Sequence, residues 1–321
     1  MAEQTKIRWG ILATGRIADW FVTDFSAVPN GTVVAVASRS QANADAFAAR
    51  HGIARAYGDY DALMADPDVD VVYIATPHTQ HLENAIEALR AGKAVLCEKP
   101  LTVTPDECRA LIRVAEETGG YLMEAMWTYF LPAIRQAEAW VAAGRIGRIR
   151  HIKADFGYPL PYASDRREYD SRLGGGALLE MGIYPVALAW LFLRRDPETI
   201  QVTARTAPNG VEDDVVAVFD YGDCMASLAT SFRCKLQNWA YIIGEEGYIA
   251  IPDFWRAGEC HLYRLDERID DFTDGRADQG FSFEAVAVGD DLLAGKRQSD
   301  VVSLADSLKF QEHVARIKAR I

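Results

Sequence analysis

The chain has 321 residues, half of them apolar, and a formal net charge of −12 from 34 Lys and Arg against 46 Asp and Glu. That length suits two domains, and the apolar fraction is enough for two cores. The acidic balance excludes general nucleic-acid binding and docking on an anionic membrane, both of which need basic patches, and five cysteines without a C-x-x-C pair exclude a disulfide framework.

A reducing cytoplasm is the compartment expected for such cysteine usage. The opening MAEQTKIRWG lacks the apolar centre of a signal peptide. The apolar run at 177–193 is interrupted by Glu180, Gly182 and Pro185, so no membrane span is expected.

Along the first third, short apolar runs at 6–12, 33–37, 69–75, 94–97 and 121–124 read as strands separated by helical patterns. This is the signature of βαβ units and a parallel sheet covered on both faces. Thr104-Pro105-Asp106-Glu107 is a capping box with proline at the first helical position, and Gly119-Gly120 ends that helix. Thr79 is expected to cap another helix that stops at Gly92. After Trp127 the order changes. A strand at 149–158 and a long helix after Gly174-Gly175-Gly176 precede strands at 200–206, 215–221, 224–232, 239–244, 248–251 and 260–265. Such an order predicts an α+β domain with an open, mostly antiparallel sheet. Residues 266–280 read as an exposed charged loop, and helical periodicity returns from Glu284. The expected fold class is therefore α/β followed by α+β, with domains at 1–125 and 126–321, the C-terminal helix being free to pack back on the first.

The first strand runs into Ala13-Thr14-Gly15-Arg16-Ile17-Ala18. A dinucleotide fingerprint needs a tight turn, bare backbone beside the pyrophosphate and close helix packing. Gly15 and Ala18 meet the last two requirements, while Ala13 stands where a glycine is usual. Arg16 can help with the pyrophosphate. The second strand ends Ser38-Arg39 with no acid, where an NAD site usually carries Asp or Glu for the ribose hydroxyls. A small serine and an arginine suit a 2′-phosphate, so NADP is expected over NAD, unless Arg39 is only a solvated surface residue.

The strand at 69–75 ends in Thr76-Pro77-His78-Thr79-Gln80-His81, at the sheet edge that faces the ligand crevice in a doubly wound fold. His78 and His81 either begin a helix or touch cofactor or substrate. No third ligand is spaced to complete a metal site, so none is expected. The next strand ends in Glu98-Lys99-Pro100, where a lysine can stand as a fixed cation beside a reacting oxygen.

With the glycine turn, Ala75-Thr76-Pro77, Glu98-Lys99-Pro100 and the block from Gly174 to Pro185, the chain resembles the Gfo/Idh/MocA superfamily of NAD(P)-dependent oxidoreductases over nearly its whole length. Glu124-Ala125-Met126-Trp127 and Gly182-Ile183-Tyr184-Pro185 are most similar to its dimeric dihydrodiol dehydrogenase and D-xylose dehydrogenase branch. The resemblance implies an N-terminal Rossmann domain, a catalytic Lys99, and Glu180 and Tyr184 where much of the superfamily has an acid and a histidine base. In that branch a tyrosine moves the proton. A spacing of four residues would place Glu180 and Tyr184 on one helix face. A Lys99 ammonium nearby would favour the phenolate of a tyrosine whose free pKa is about 10. Tyr184 is otherwise a core aromatic, and Glu180 either orients a neighbour or touches substrate. Trp127, Phe156 and Tyr158 read as core residues or as a pocket wall, Trp127 first among them for the pocket. Arg166 and Arg167 read as surface-loop residues, with substrate contact as the alternative, and Trp255 and Arg256 as either near the cleft or simply exposed.

The resulting expectation is an NADP(H)-dependent oxidoreductase acting on a sugar, polyol or cyclic diol. The alternative is a non-catalytic NADP-binding sensor. The cofactor contacts expected are Ala13, Thr14, Gly15, Arg16, Ile17, Ser38, Arg39, Thr76, Pro77, His78, His81, Glu98, Lys99 and Trp127. Substrate would meet Lys99, Trp127, Phe156 and Tyr184. A homodimer or tetramer through the open sheet is expected, because that sheet's outer face needs cover.

Overall fold

The computed structural model describes residues 6–321. It divides into two compact units, one running to Trp127 and taking in Ala277–Leu308, the other formed by Thr128–Arg276 and Lys309–Ile321.

In the first unit β1 (Ile7–Leu12), β2 (Gly31–Ala37), β3 (Arg55–Tyr57), β4 (Val71–Ile74), β5 (Ala94–Glu98) and β6 (Leu122–Ala125) form an all-parallel sheet in the order β3-β2-β1-β4-β5-β6. The order reverses on either side of β1, which opens a crevice at the carboxyl ends of β1 and β4. One face is aliphatic: Leu12, Ile74, Val95 and Cys97 pack with Leu89 and Leu111 from helices His81–Arg90 and Pro105–Thr118. The other is aromatic. Trp9 and Phe25 meet edge to face, and Phe21 stacks on Tyr73 at 3.8 Å. Such a pair adds roughly 1 kcal/mol to the burial of its rings. Thr104 accepts from the Glu107 N–H while the Glu107 carboxylate accepts from the Thr104 N–H, so the capping box is complete.

Three local expectations differ. Thr79 does not cap a helix. It lies inside a 3₁₀ turn, His78–Gln80, and Gln80 precedes the helix without a side-chain cap. The three-residue β3 is too short for a period to show. Residues 266–280 are not simply a loop, because β14 (Glu267–Thr273) pairs along β13 (Glu259–Arg264). As an edge strand β14 needs few apolar residues, and charges there block further pairing.

Segment Ala277–Leu308 follows the second domain in sequence yet belongs to the first unit. Its helix Phe281–Leu293 is anchored by polar contacts. The Asp24 carboxylate accepts the N–H groups of Gln279, Gly280 and Phe281 at 3.2, 2.9 and 3.0 Å. Asn30 donates to Asp290 and to the Val286 carbonyl, and the Tyr121 hydroxyl donates to Asp291.

In the second unit β7 (Ile149–Gly157), β8 (Thr199–Thr206), β9 (Glu212–Asp220), β10 (Met225–Ser231), β11 (Ala240–Gly244), β12 (Tyr248–Ile251), β13 and β14 form an eight-stranded sheet in the order β14-β13-β12-β11-β7-β10-β9-β8. Only β7 and β10 run parallel. Ile152, Ala154, Ala217, Phe219, Ala226 and Leu228 are buried, and their neighbours in the strands are less so. That alternation marks a sheet with one core face. Helices Pro132–Ala142 and Ile183–Leu193 pack on the sheet. Among the described residues one helical stretch, Ser171–Leu193, is long and apolar enough to cross a membrane, and 78% of its apolar window is buried inside the protein.

Asp24→Ala should lower stability by roughly 3 kcal/mol, since three backbone donors lose an ionised acceptor in a buried place. Urea unfolding midpoints of the two proteins measure this. A change of only a few tenths would mean that the carboxylate does not anchor the helix.

Candidate functional site

The carboxyl end of β1 continues into Ala13, whose φ of +90° is unusual for a residue with a side chain. The tight turn is thus made at the place where the fingerprint usually has glycine. The Ala13 N–H donates to the Ala37 carbonyl and ties the turn to β2. Gly15 is the N-cap of helix Arg16–Asp24 and supplies no side-chain cap. A Cβ at Gly15 would meet nothing within 4 Å, and Ala18 is fully buried against the sheet. Open space beside bare backbone, with first-turn N–H groups directed outward, fits a pyrophosphate. Arg16 is exposed, its guanidinium 5.3 Å from the centre of the Trp20 ring.

At the end of β2, Ser38 is buried, its Oγ 3.5 Å from Thr14 Oγ1, and its N–H donates to the Tyr57 carbonyl. Arg39 is exposed, and its charge reaches Tyr60, whose hydroxyl burial pushes up in pKa. The strand end therefore offers a small residue and a cation, and no acid.

After β4 and β5 the chain is tightly held. The His81 ring is buried, with Nδ1 2.8 Å from the Pro100 carbonyl oxygen and Nε2 2.9 Å from that of Thr76. His81 thus ties the two turns together and has no nitrogen left for a metal. Asn84 donates to the Thr76 hydroxyl, and His78 lies edge-on to His81 at 5.7 Å. Among the described residues no group of three or more His, Cys, Asp or Glu is arranged to hold a metal ion. Tyr73 donates its hydroxyl to Glu98 Oε1 at 2.5 Å, and the Lys99 N–H donates to Glu98 Oε2 at 3.1 Å. The strand before the lysine is therefore fixed through its own carboxylate. Glu124, buried on β6, accepts the Leu101 N–H at 2.8 Å. Burial pushes the Glu124 carboxyl up to about 7, against the opposing pull of the Leu101 amide and Lys99. Trp127 stacks on Phe281 at 4.4 Å.

The second unit carries the other group. Glu180 lies in a wide π-type turn, Leu178–Gly182, which leads directly into helix Ile183–Leu193. Glu180 and Tyr184 are therefore not four residues apart on an unbroken α-helix. Pro185 has no N–H for the carbonyl four residues back, so the regular ladder cannot form there. Gly182 packs closely in this turn: a Cβ there would lie 3.0 Å from the Thr230 methyl on β10. Arg167 donates to Glu180 at 2.5 Å and is half-buried, so it is more than a surface loop residue. Tyr184 is buried edge-on to Phe156 at 5.3 Å and to Trp255 at 6.3 Å, and those two rings stack at 4.8 Å. The Arg256 guanidinium lies 5.1 Å from the Trp255 ring centre.

Sequence reasoning passed over Glu124 and Glu284 as site residues. The second left a signal: Phe281, Glu284, Ala285 and Val288 share one helix face, which puts a carboxyl among buried apolar residues.

Residues 7–126 match the model of an oxidoreductase family with an NAD-binding Rossmann fold, and residues 134–250 match the GFO/IDH/MocA C-terminal domain. The trans-1,2-dihydrobenzene-1,2-diol dehydrogenase of Mus musculus is 38% identical over 315 residues, covering 94% of this chain and 92% of that protein. The Homo sapiens protein of the same name is 36% identical over 314 residues, with the same coverage. A 3-ketoreductase from Actinomadura kijaniata, solved with NADP and TDP-benzene, superposes with a TM-score of 0.86 at 30% identity, over 98% of each chain. An aldose-aldose oxidoreductase from Caulobacter crescentus shares the fold, with a TM-score of 0.90 at 23% identity over 98% of this chain and 97% of that one.

Glu124 predicts a pH dependence of stability. Its carboxyl keeps a proton up to about 7 when folded and loses it near 4.5 when unfolded. Between those values the folded protein binds more protons, so stability falls as pH rises through that window, by about 3 kcal/mol from this group. In Glu124→Gln the fall between pH 5 and pH 8 should shrink. Urea titrations at the two pH values test it, and equal slopes for both proteins would contradict it.

Proposed function

Because this chain belongs to the GFO/IDH/MocA family of NAD-binding oxidoreductases, we propose that it interconverts the alcohol and carbonyl forms of a sugar, polyol or cyclic diol, with NADP(H) as preferred cofactor. It is an NAD(P)-dependent dehydrogenase or reductase acting on CH–OH groups. The observation that carries the substrate class is the buried Tyr184 held edge-on against the stacked Phe156 and Trp255. Flat aromatic faces suit the apolar side of a ring, and a phenol among them suits its hydroxyl. The names of the mouse and Actinomadura relatives, a cyclic diol dehydrogenase and a ketoreductase, support the same class.

The nicotinamide, when bound, exchanges a hydride with the substrate carbon. This chain's residues do the rest. Ala13–Ile17 cradle the pyrophosphate, and Ser38 and Arg39 receive the 2′-phosphate. Thr76, Pro77, His78 and Trp127 border the cofactor, and His81 acts by holding Thr76 and Pro100 in place. Tyr184 takes the hydroxyl proton in oxidation and returns it in reduction. The Lys99 ammonium stabilises the negative charge that develops on the oxygen. Glu98 fixes the backbone of Lys99, and Arg167 holds the Glu180 carboxylate. The protein works in the cytoplasm as a homodimer or tetramer through the outer face of the second sheet. That face carries a row of rings in which Trp239 stacks on Tyr241 and Tyr248 on Tyr263, with Tyr241 and Tyr248 tilted against each other.

Three variants test this reading. Arg39→Ala should raise KM for NADP about ten- to a hundred-fold and leave KM for NAD nearly unchanged. Equal cofactor preference before and after the change would remove the assignment. Lys99→Met should lower kcat by several orders of magnitude with little effect on cofactor affinity, and a variant with more than about a tenth of the activity would exclude the lysine from the chemistry. Tyr184→Phe should cost about 10²–10⁴-fold in kcat and abolish the rising limb of the pH profile for alcohol oxidation. Near-normal turnover would place the base elsewhere. A panel of sugars, polyols and diols with both cofactors identifies the substrate.

A further inference from the structure

Asn238, shortly before β11, is fully buried and holds a φ of +64°. Its hydrogen bonds run to the two segments that carry the stacked rings Phe156 and Trp255, all within the second unit. The side-chain Oδ1 accepts the N–H of Gly157, the residue after Phe156, at 2.9 Å. The Asn238 N–H donates to Oδ1 of Asp155, the residue before Phe156, at 2.6 Å. The Asn238 carbonyl accepts the N–H of Phe254, the residue before Trp255, at 3.2 Å. Trp255 is gripped a second time, its carbonyl accepting from Thr128 Oγ1 at 2.7 Å. The residue type follows from the place. Asparagine tolerates positive φ better than most residues with a side chain. Glycine would tolerate it too but would offer the Gly157 N–H no acceptor, and aspartate would set a second carboxylate beside Asp155. The Asn238 Nδ2 group has no hydrogen-bond partner, so the oxygen is the working end of the side chain.

Stacked rings slide over one another easily, because several offset arrangements lie close in energy. Directional hydrogen bonds to the backbone beside each ring select one of them. We propose that Asn238, with Thr128, is a positioning residue that fixes the register of Phe156 on Trp255 and so sets the preference of the site for cyclic over open-chain substrates. This rests on those rings forming the wall that meets substrate beside Tyr184. Tyr184 lies edge-on to both rings, so a slip of one on the other changes the surface next to the phenol. A ring substrate needs the whole flat face, whereas an open chain can follow a displaced one.

Fluorine NMR of the full-length protein labelled with fluorotryptophan tests this, the Trp255 resonance being assigned from Trp255→Phe. Asn238→Gly keeps the freedom for positive φ and removes only the carboxamide. Without substrate it should move the Trp255 resonance toward its position in Phe156→Ala, where the stacked ring is gone. An unmoved resonance overturns the positioning. Specificity is read by titrating the NADPH-loaded protein, in which a diol cannot turn over, with a vicinal cyclohexanediol and an open-chain vicinal butanediol. The wild type should prefer the ring, and in Asn238→Gly that preference should fall about three- to tenfold. A merely structural residue would leave the ratio of the two affinities unchanged, and that result overturns the specificity role. Should Asn238→Gly fail to fold, Thr128→Val removes the hydroxyl grip on Trp255. It should move the resonance and the ratio in the same directions, and no movement in either overturns the proposal. A wild type that answers to neither diol, or a Phe156→Ala protein that keeps the preference, sinks the reading of the rings as a substrate wall while the substrate-free shift still stands, so the two failures are distinguishable.

Discussion

The Asp24 carboxylate, at the end of the first helix, accepts three successive backbone N–H groups from a segment more than 250 residues away. That contact ties the later segment to the first helix. It starts helix Phe281–Leu293 in a fixed place, which sets Phe281 against Trp127 and carries Glu284 into the interior. Asn30 and Tyr121 repeat the anchoring further along the helix. A short run of polar contacts positions an element whose own face is almost wholly apolar, because hydrophobic burial by itself does not select a register.

The two groups of site residues are built on different physical principles. In the first unit, strand ends are fixed by polar ties: Tyr73 to Glu98, Glu98 to the Lys99 backbone, and His81 to both Thr76 and Pro100. These groups are buried, so each bond acts at low dielectric and its loss would leave a costly orphan. In the second unit, Tyr184 packs edge-on against Phe156 and Trp255, and Arg167 donates to the Glu180 carboxylate.

Much of the fold is legible in the sequence where a local rule and the tertiary structure ask for the same thing. The Thr104 capping box and the continuous apolar strands of the first sheet are of this kind. Thr79 was misleading because a 3₁₀ turn intervenes before the helix, and a capping residue type says nothing about which turn it enters. The edge strand Glu267–Thr273 carries Glu, Arg and Asp along most of its length, so its pairing with β13 has no hydrophobic signature. The motifs that carry the candidate site residues could be placed at strand ends from the sequence. Arg167 could not be placed, because its partner Glu180 sits thirteen residues on, across a loop whose path no periodicity predicts. The ring pair Phe156 and Trp255 joins residues a hundred positions apart, and only the folded sheet and its connections bring them together.

The first unit is discontinuous: its sheet is complete by Ala125, yet a helix that covers the aromatic side begins only at Phe281. At the usual pace of synthesis, the 149 residues between Trp127 and Ala277 take on the order of ten seconds to emerge. Through that interval Trp127 has no Phe281 to stack on and Asp24 has no N–H groups to accept. The nascent sheet is then a partly covered apolar surface, the kind that chaperones hold and that aggregates when they do not. A ribosome stalled anywhere in the second domain leaves such a chain behind, so premature termination yields an aggregation-prone fragment rather than a free-standing nucleotide-binding domain.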